Sequence, residues 1–241
     1  MEGAPFPLPK VIYSDQDVLV VDKPAGLLSL PDGYDRSRPY LAGVLMTEFG
    51  RLWVVHRLDR DTSGVMVLAR SPQAHRALNM QFENRQTAKI YHAIVIGSPT
   101  WETTGVDLPL RVNGDRRHRT VVDQEAGKSA FTAIYCLERF IGYTLIEAQP
   151  HTGYAHQIRA HLAAVGHPIV GDTLYNRRQV KPDQLMIPGL PRVALHARSL
   201  TFYHPTSGER LSFASAYPID FERAIHQLRR ENMSMRNPQK D

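Results

Sequence analysis

Apolar and polar positions fall in short blocks along this chain, and the blocks set the expected elements. "VIYSDQDVLVVDKPAGLL" holds an apolar run, a polar turn, a second apolar run and then Lys-Pro-Ala-Gly. It predicts a hairpin that closes in a turn. Residues 40–50, "YLAGVLMTEFG", have helical spacing and end at a glycine suited to a C-cap. "LWVVHR" and "GVMVLAR" predict two short strands. "SPQAHRALNMQFENRQ" predicts a helix: Ser71 can cap it, Pro72 suits its first turn, and Ala74, Ala77, Leu78 and Phe82 recur at helical spacing. "AKIYHAIVIG", "KSAFTAIYCLERF" and "GYTLIEAQP" are β-like, the last two joined by a turn at Ile141-Gly142. "HQIRAHLAAVG" predicts a helix capped by Gly166. "RVALHARSLTFYHP" with "ERLSFASA" predicts a late hairpin, and "PIDFERAIHQLRREN" a final helix.

Strands outnumber helices and often follow one another directly. The fold class is therefore α+β, with a mixed, mainly antiparallel central sheet flanked by helices. Residues 1–10, rich in proline and glycine, predict a flexible arm; residues 11–231 a folded domain; residues 232–241 a frayed tail. There is no internal repeat. The absence of βαβαβ alternation, GxGxxG and a P-loop argues against a dinucleotide or nucleoside triphosphate enzyme.

Composition changes this picture little. The 241 residues suffice for a substantial core, and 42% hydrophobic against 22% charged is an ordinary soluble balance. The net charge of +5 is compatible with a polyanionic partner without demonstrating one. The one cysteine, Cys136, allows no intrachain disulfide and sits in a strand pattern, where it reads as a packing thiol. No signal-like segment and no run near 18 apolar residues occurs, so a cytoplasmic protein without membrane contact is expected.

Candidate chemistry concentrates in "VVHRLDRDTSG", residues 54–64, a polar stretch between two strands. In an extended segment Arg57 and Asp59 point to one side and Leu58 to the other. An ionised aspartate there is a candidate nucleophile or general base. Equally, Asp59 or Asp61 could simply make an Asx-turn and pair with arginine. In "PHTGYAHQIRAHLAAVGHP", His156 and Arg159 lie on nearby faces of a helix. Its N-terminus and Arg159 could face a phosphate or a carboxylate. His151, His156 and His161 are five apart, which is not the spacing of a helical metal pair, and no metal is expected. Tyr91 sits in a strand and becomes functional only if a planar group stacks on it. "NGDRRHRT", residues 113–120, is a basic loop.

Together these stretches resemble the RluA family of RNA pseudouridine synthases. The resemblance spans about Val11 to Phe221. It rests on "VVDKPAGLLS", "HRLDRDTSG", "KIYHA", "HTGYAHQIRAHLAAVGHPIVGDTLY" and "LHARSLTF", in that order. No stretch resembles the S4 domain of some relatives. The resemblance implies a pseudouridine synthase fold with an active-site cleft in a catalytic domain at 11–231. It implies isomerisation of a specific uridine in ribosomal or transfer RNA, without cofactor. The catalytic aspartate falls on Asp59, the tyrosine on Tyr91, and the arginine that pairs with the aspartate on Arg159. Arg57 occupies the motif's arginine position, and Leu195 an apolar position near the target base. His156 and Gln157 support the site, and Arg116, Arg117 and Arg119 are candidate phosphate contacts. Asp61 lies at a variable position. Relatives commonly carry arginine where this chain has Tyr154, which bears on the substrate more than on the chemistry. An RNA stem-loop is the expected partner and a monomer the expected state. Two other classes stand beside this reading. A silent RNA-binding or chaperone protein would not need Asp59, Tyr91 and Arg159 intact. A carboxylate-pair glycosidase needs a second acid that no motif supplies.

Overall fold

The structure, a computed structural model, describes residues 7–176 and 185–236. Most of the expected arm (1–6) and the end of the expected tail (237–241) lie outside the described residues. Along the chain run β1 (Lys10–Ser14), β2 (Val18–Lys23), α1 (Leu41–Phe49), β3 (Trp53–Val54), β4 (Ser63–Ala69), α2 (Pro72–Glu83), β5 (Ala88–Ile96), β6 (Thr103–Asp107), β7 (Leu110–Arg111), β8 (Val121–Val122), β9 (Phe131–Phe140), β10 (Tyr143–Pro150), α3 (Gln157–Ala164), β11 (Leu195–Tyr203), β12 (Arg210–Ala214) and α4 (Ile219–Arg236). The sheet is mixed and mainly antiparallel, as its strand order and helix count led us to expect.

Contacts resolve two compact units, each built from non-adjacent segments. The first lies within Met1–Ile90 and His196–Ala216, the second within Tyr91–Leu195 and Tyr217–Asp241.

In the first unit the strand order is β1-β2-β4-β11, with β3 added to β4 and β12 to β11. β1–β2, β2–β4 and β11–β12 are antiparallel; β4–β11 is parallel, pairing Ser63 with His196 and Gly64 with Ala197. Every residue of β4 is buried, as a central strand of continuous apolar character requires. Val18, Val20, Val65 and Val67 pack with Leu200 and Phe202 and with Ala74 and Leu78 of α2. The Ser71 hydroxyl accepts from Ala74 N–H at 3.0 Å and Pro72 is the first helical residue, so α2 starts as its sequence predicts.

In the second unit the order is β5-β10-β9-β6, all antiparallel. A bulge in β9 at the Leu145/Ile146 step of β10 shifts the pairing from Glu138 to Cys136. Ile94, Ile134 and Ile146 pack with Ile158 and Leu162 of α3 and with Phe221, Ala224, Ile225 and Leu228 of α4. That last set is the i, i+3, i+4, i+7 stripe of a core-facing helix.

Two boundaries differ from expectation. Helix α4 continues to Arg236, past the end of the helix that "PIDFERAIHQLRREN" predicts. Asn232 donates to Arg139 O, and no breaker intervenes before the Asn237-Pro238 pair. Helix α3 begins at Gln157 because His156 is left-handed, with φ 56°.

Candidate active site

In the first unit, residues 57–62 form the connection into β4 that carries Asp59. Leu58 is buried, Asp59 half-buried and Arg57 exposed, the alternation expected of an extended segment. The segment Lys23–Ser29 holds this connection. Ser29 Oγ donates to Leu58 O at 2.7 Å and accepts from Leu58 N–H at 3.1 Å. Arg60 O accepts from Gly26 N–H at 2.8 Å and from Lys23 Nζ at 3.1 Å. Lys23 is fully buried, and its ammonium also donates to Pro24 O and Leu27 O. Three carbonyls thus share one buried charge, which makes its burial tolerable. On the other side of Asp59, its carbonyl accepts from Thr62 N–H at 3.1 Å, closing a turn. Backbone on both sides of Asp59 is therefore fixed. Asp61 forms a surface pair with Arg60 at 2.9 Å, in keeping with a turn role.

The remaining motif residues are scaffold. His56 Nε2 accepts from Val67 N–H at 3.1 Å, and its ring stacks on Phe82 at 4.5 Å. Burial, with nearby Lys89, pushes its pKa down to about 3, so it is a neutral acceptor. Ser63 Oγ lies 3.0 Å from His196 Nδ1, and both side chains are buried. Gly64 has φ 120°, and a Cβ there would overlap the backbone of Ala197. The glycine is what lets β11 lie alongside β4.

In the second unit, Arg159 is buried in α3 and makes a bidentate pair with Asp172. Nε reaches Oδ2 at 2.7 Å and Nη2 reaches Oδ1 at 3.0 Å. Oδ1 of Asp172 also takes the N–H groups of Leu174 and Tyr175. Asp172 is a partner of Arg159 that the motif spacing did not point to. The Arg159 guanidinium also lies 5.2 Å from the Tyr175 ring centroid.

The other second-unit candidates divide. Tyr91, on β5 opposite Ala148 of β10, is half-buried against the core. Leu195 is buried at the start of β11. His156 Nδ1 lies 3.3 Å from Tyr175 Oη. The Gln157 amide is saturated by the protein. Oε1 accepts from Thr152 Oγ1 and Tyr154 N–H, and Nε2 donates to Phe131 O and Thr132 Oγ1. Arg116 and Arg117 are exposed, whereas Arg119 pairs with Asp115 at 2.6 Å and donates to Leu174 O. Tyr154 packs on Leu110, Ala130 and Ala160, an apolar use of the position. His161 is a buried link between Thr132 Oγ1 and Leu108 O, and burial pushes its pKa down. Cys136 is half-buried, and burial pushes its thiol up, away from nucleophilic use.

Lys23, Ser29, Asp172 and Tyr175 went unassigned in the sequence, although all lie inside its motifs. For three of them the signal is residue type: a lysine, a serine and an aspartate within largely apolar, glycine-containing stretches, whereas Tyr175 carries no such mark. Among the described residues no group of three metal-binding side chains forms, and no helix is long and apolar enough to cross a membrane.

The fold and these motifs agree with comparisons to known proteins. The family model described as RNA pseudouridylate synthase matches residues 17–164. Ribosomal large subunit pseudouridine synthase D of Pseudomonas aeruginosa is 38% identical over 233 residues, covering 92% of this chain and 72% of that protein. Dual-specificity RNA pseudouridine synthase RluA of Haemophilus influenzae is 38% identical over 204 residues, covering 84% and 90%. The solved structure of human RNA pseudouridylate synthase domain containing 4 superimposes with a TM-score of 0.75 at 27% identity, covering 91% of this chain and 93% of that one. The chain belongs to the RNA pseudouridylate synthase family, isomerases that act on RNA.

Proposed function

We propose that this protein converts a specific uridine of ribosomal or transfer RNA to pseudouridine, with Asp59 as the reacting carboxylate. The observation that carries this reading is the fixation of the Asp59 backbone at Leu58 and Arg60 within a family motif. A reacting group held on a fixed connection between strands meets the positional demand of catalysis. A relative named for the ribosomal large subunit and one named for dual specificity toward RNA support an RNA substrate, ribosomal RNA among the candidates.

The reaction breaks the C1′–N1 bond, turns the uracil and forms a C1′–C5 bond. The C5 proton leaves and N1 gains one, so nothing is consumed and no cofactor is required. A stacked uridine must first be flipped out to reach a side chain. Asp59, ionised, attacks C1′ or C6, or removes the C2′ proton. Arg159, held by Asp172 through Nε and Nη2, is the arginine that orients the reacting carboxylate. Tyr91 stacks on the uracil and assists departure of the C5 proton. Leu195 and His156 border the base. Exposed Arg57, Arg116 and Arg117 meet phosphates, which makes RNA affinity fall steeply with salt. Gln157 and Arg119 serve this site from within the scaffold. The protein acts as a cytoplasmic monomer, with residues 11–231 as its catalytic domain.

The deciding test uses transcripts of large-subunit ribosomal RNA and of transfer RNA made with C5-tritiated uridine. Wild type should release tritium and leave pseudouridine. Asp59→Asn should release none; full activity in that variant removes Asp59 from the chemistry.

A further inference from the structure

The Tyr175 ring carries two guanidiniums. Arg159 lies 5.2 Å and Arg119 lies 5.8 Å from its centroid, both within cation–π range. Each guanidinium has its own carboxylate, Asp172 for Arg159 and Asp115 for Arg119. The Tyr175 hydroxyl extends the link, accepting from Thr120 N–H at 3.0 Å and lying 3.1 Å from Thr120 O. The basic loop is braced from inside as well. Oδ1 of Asp115 takes the N–H groups of Arg117 and Arg119, and Thr120 Oγ1 donates to Ala155 O at 2.6 Å. The backbone hydrogen bond from Arg119, aided by its guanidinium, holds the Asp115 carboxyl below its usual range. One continuous run of contacts therefore joins the loop around Asp115, through Arg119 and Tyr175, to the buried Arg159.

We propose that Tyr175 is a positioning residue for Arg159 and ties it to the loop at 113–120. A phosphate gripped by that loop then improves the placement of Arg159, and so the rate, as well as the affinity. This inference rests on the functional reading above and goes beyond it. A surface arginine that only held RNA would change affinity alone. An arginine stacked on the ring that orients Arg159 changes turnover too, because small misplacement of a catalytic group is costly.

The test measures kcat and KM for tritium release from the C5-labelled ribosomal and transfer RNA transcripts. It compares wild type with Tyr175→Phe, Tyr175→Leu and Arg119→Ala, each checked by thermal melting. Tyr175→Phe keeps the ring and loses the hydroxyl bonds, so kcat should stay within about twofold while KM rises. Tyr175→Leu removes the ring, and kcat should fall about tenfold or more. Arg119→Ala should lower kcat several-fold with its melting temperature little changed. Wild-type kcat in Tyr175→Leu overturns the proposal, as does a kcat in Tyr175→Phe as low as in Tyr175→Leu. Should Tyr175→Leu fail to fold, Arg119→Ala decides: a change in KM alone overturns the link. A wild-type protein silent on both transcripts instead sinks the functional reading, and the positioning role with it. Active wild type with unaffected variants sinks the positioning role only.

Discussion

Ser29 satisfies both backbone groups of Leu58, donating to its carbonyl at 2.7 Å and accepting its N–H at 3.1 Å. A hydroxyl can do both because it carries a donor and two lone pairs. It takes the place of a strand partner one residue before Asp59. Both residues are buried, so no water replaces the bonds when the hydroxyl is removed.

Ser29→Ala should accordingly lower stability by about 2 kcal/mol, the scale of leaving buried polar groups unpaired. Turnover should fall more than affinity, because the change acts through the placement of Asp59. Urea unfolding read beside kcat and KM checks this. An unchanged urea midpoint shows that the clamp contributes nothing.

Gly64→Ala tests the close approach of β4 and β11. The added Cβ would overlap the Ala197 carbonyl and backbone nitrogen, and φ 120° is strained for any residue with a Cβ. Neither neighbour is a flexible side-chain end that could yield. Soluble yield should drop sharply, or stability should fall by more than about 3 kcal/mol. Wild-type melting in Gly64→Ala contradicts the parallel pairing of Ser63–Gly64 with His196–Ala197.

The strands were legible because their burial writes itself into the sequence. Val18–Val21 and Ser63–Ala69 are continuous apolar or small runs and became central strands. Ser71-Pro72 named the start of α2 through the chemistry of its cap. Asp59 was singled out only by the resemblance of its motif, since residue types alone left an Asx-turn equally open. Harder to read were partners far apart in sequence. Asp172 pairs with Arg159 across 13 residues, and Ser29 meets Leu58 across 29, at spacings no local periodicity sets. Arg119 looked like its neighbours Arg116 and Arg117, and only the loop's turn distinguishes its pairing with Asp115. The left-handed His156 was likewise hard to read, since histidine, although enriched at positive φ, far more often takes ordinary backbone conformations.

Asp172→Asn keeps the shape and the acceptor for Leu174 N–H and Tyr175 N–H but removes the charge that faces Arg159. Arg159 and Asp172 are both nearly fully buried, so the guanidinium loses its charged bidentate partner in a dry setting. Breaking such a pair from one side costs about 3 kcal/mol or more. The expected result is a lower melting temperature together with a fall in kcat as Arg159 loses its orientation. Unaltered kcat with lowered stability shows that Asp172 supports the fold without serving Arg159 in catalysis.

The last prediction concerns acid. In the folded protein His56 is pushed from its ordinary 6.5 down to about 3, first by burial and then by Lys89. Between those values the unfolded chain binds a proton at this ring and the folded chain does not. Stability should therefore fall as pH drops through this window, by about 1.4 kcal/mol per pH unit from this group. Carboxylates titrate in the same range, so the informative quantity is the difference from His56→Gln, which retains a hydrogen-bond acceptor for Val67 N–H but cannot titrate. Above pH 6.5 that difference should be constant. Below it, wild type should lose stability faster than the variant, read from urea midpoints at several pH values. Parallel pH profiles show that His56 takes up its proton without resistance in the folded state.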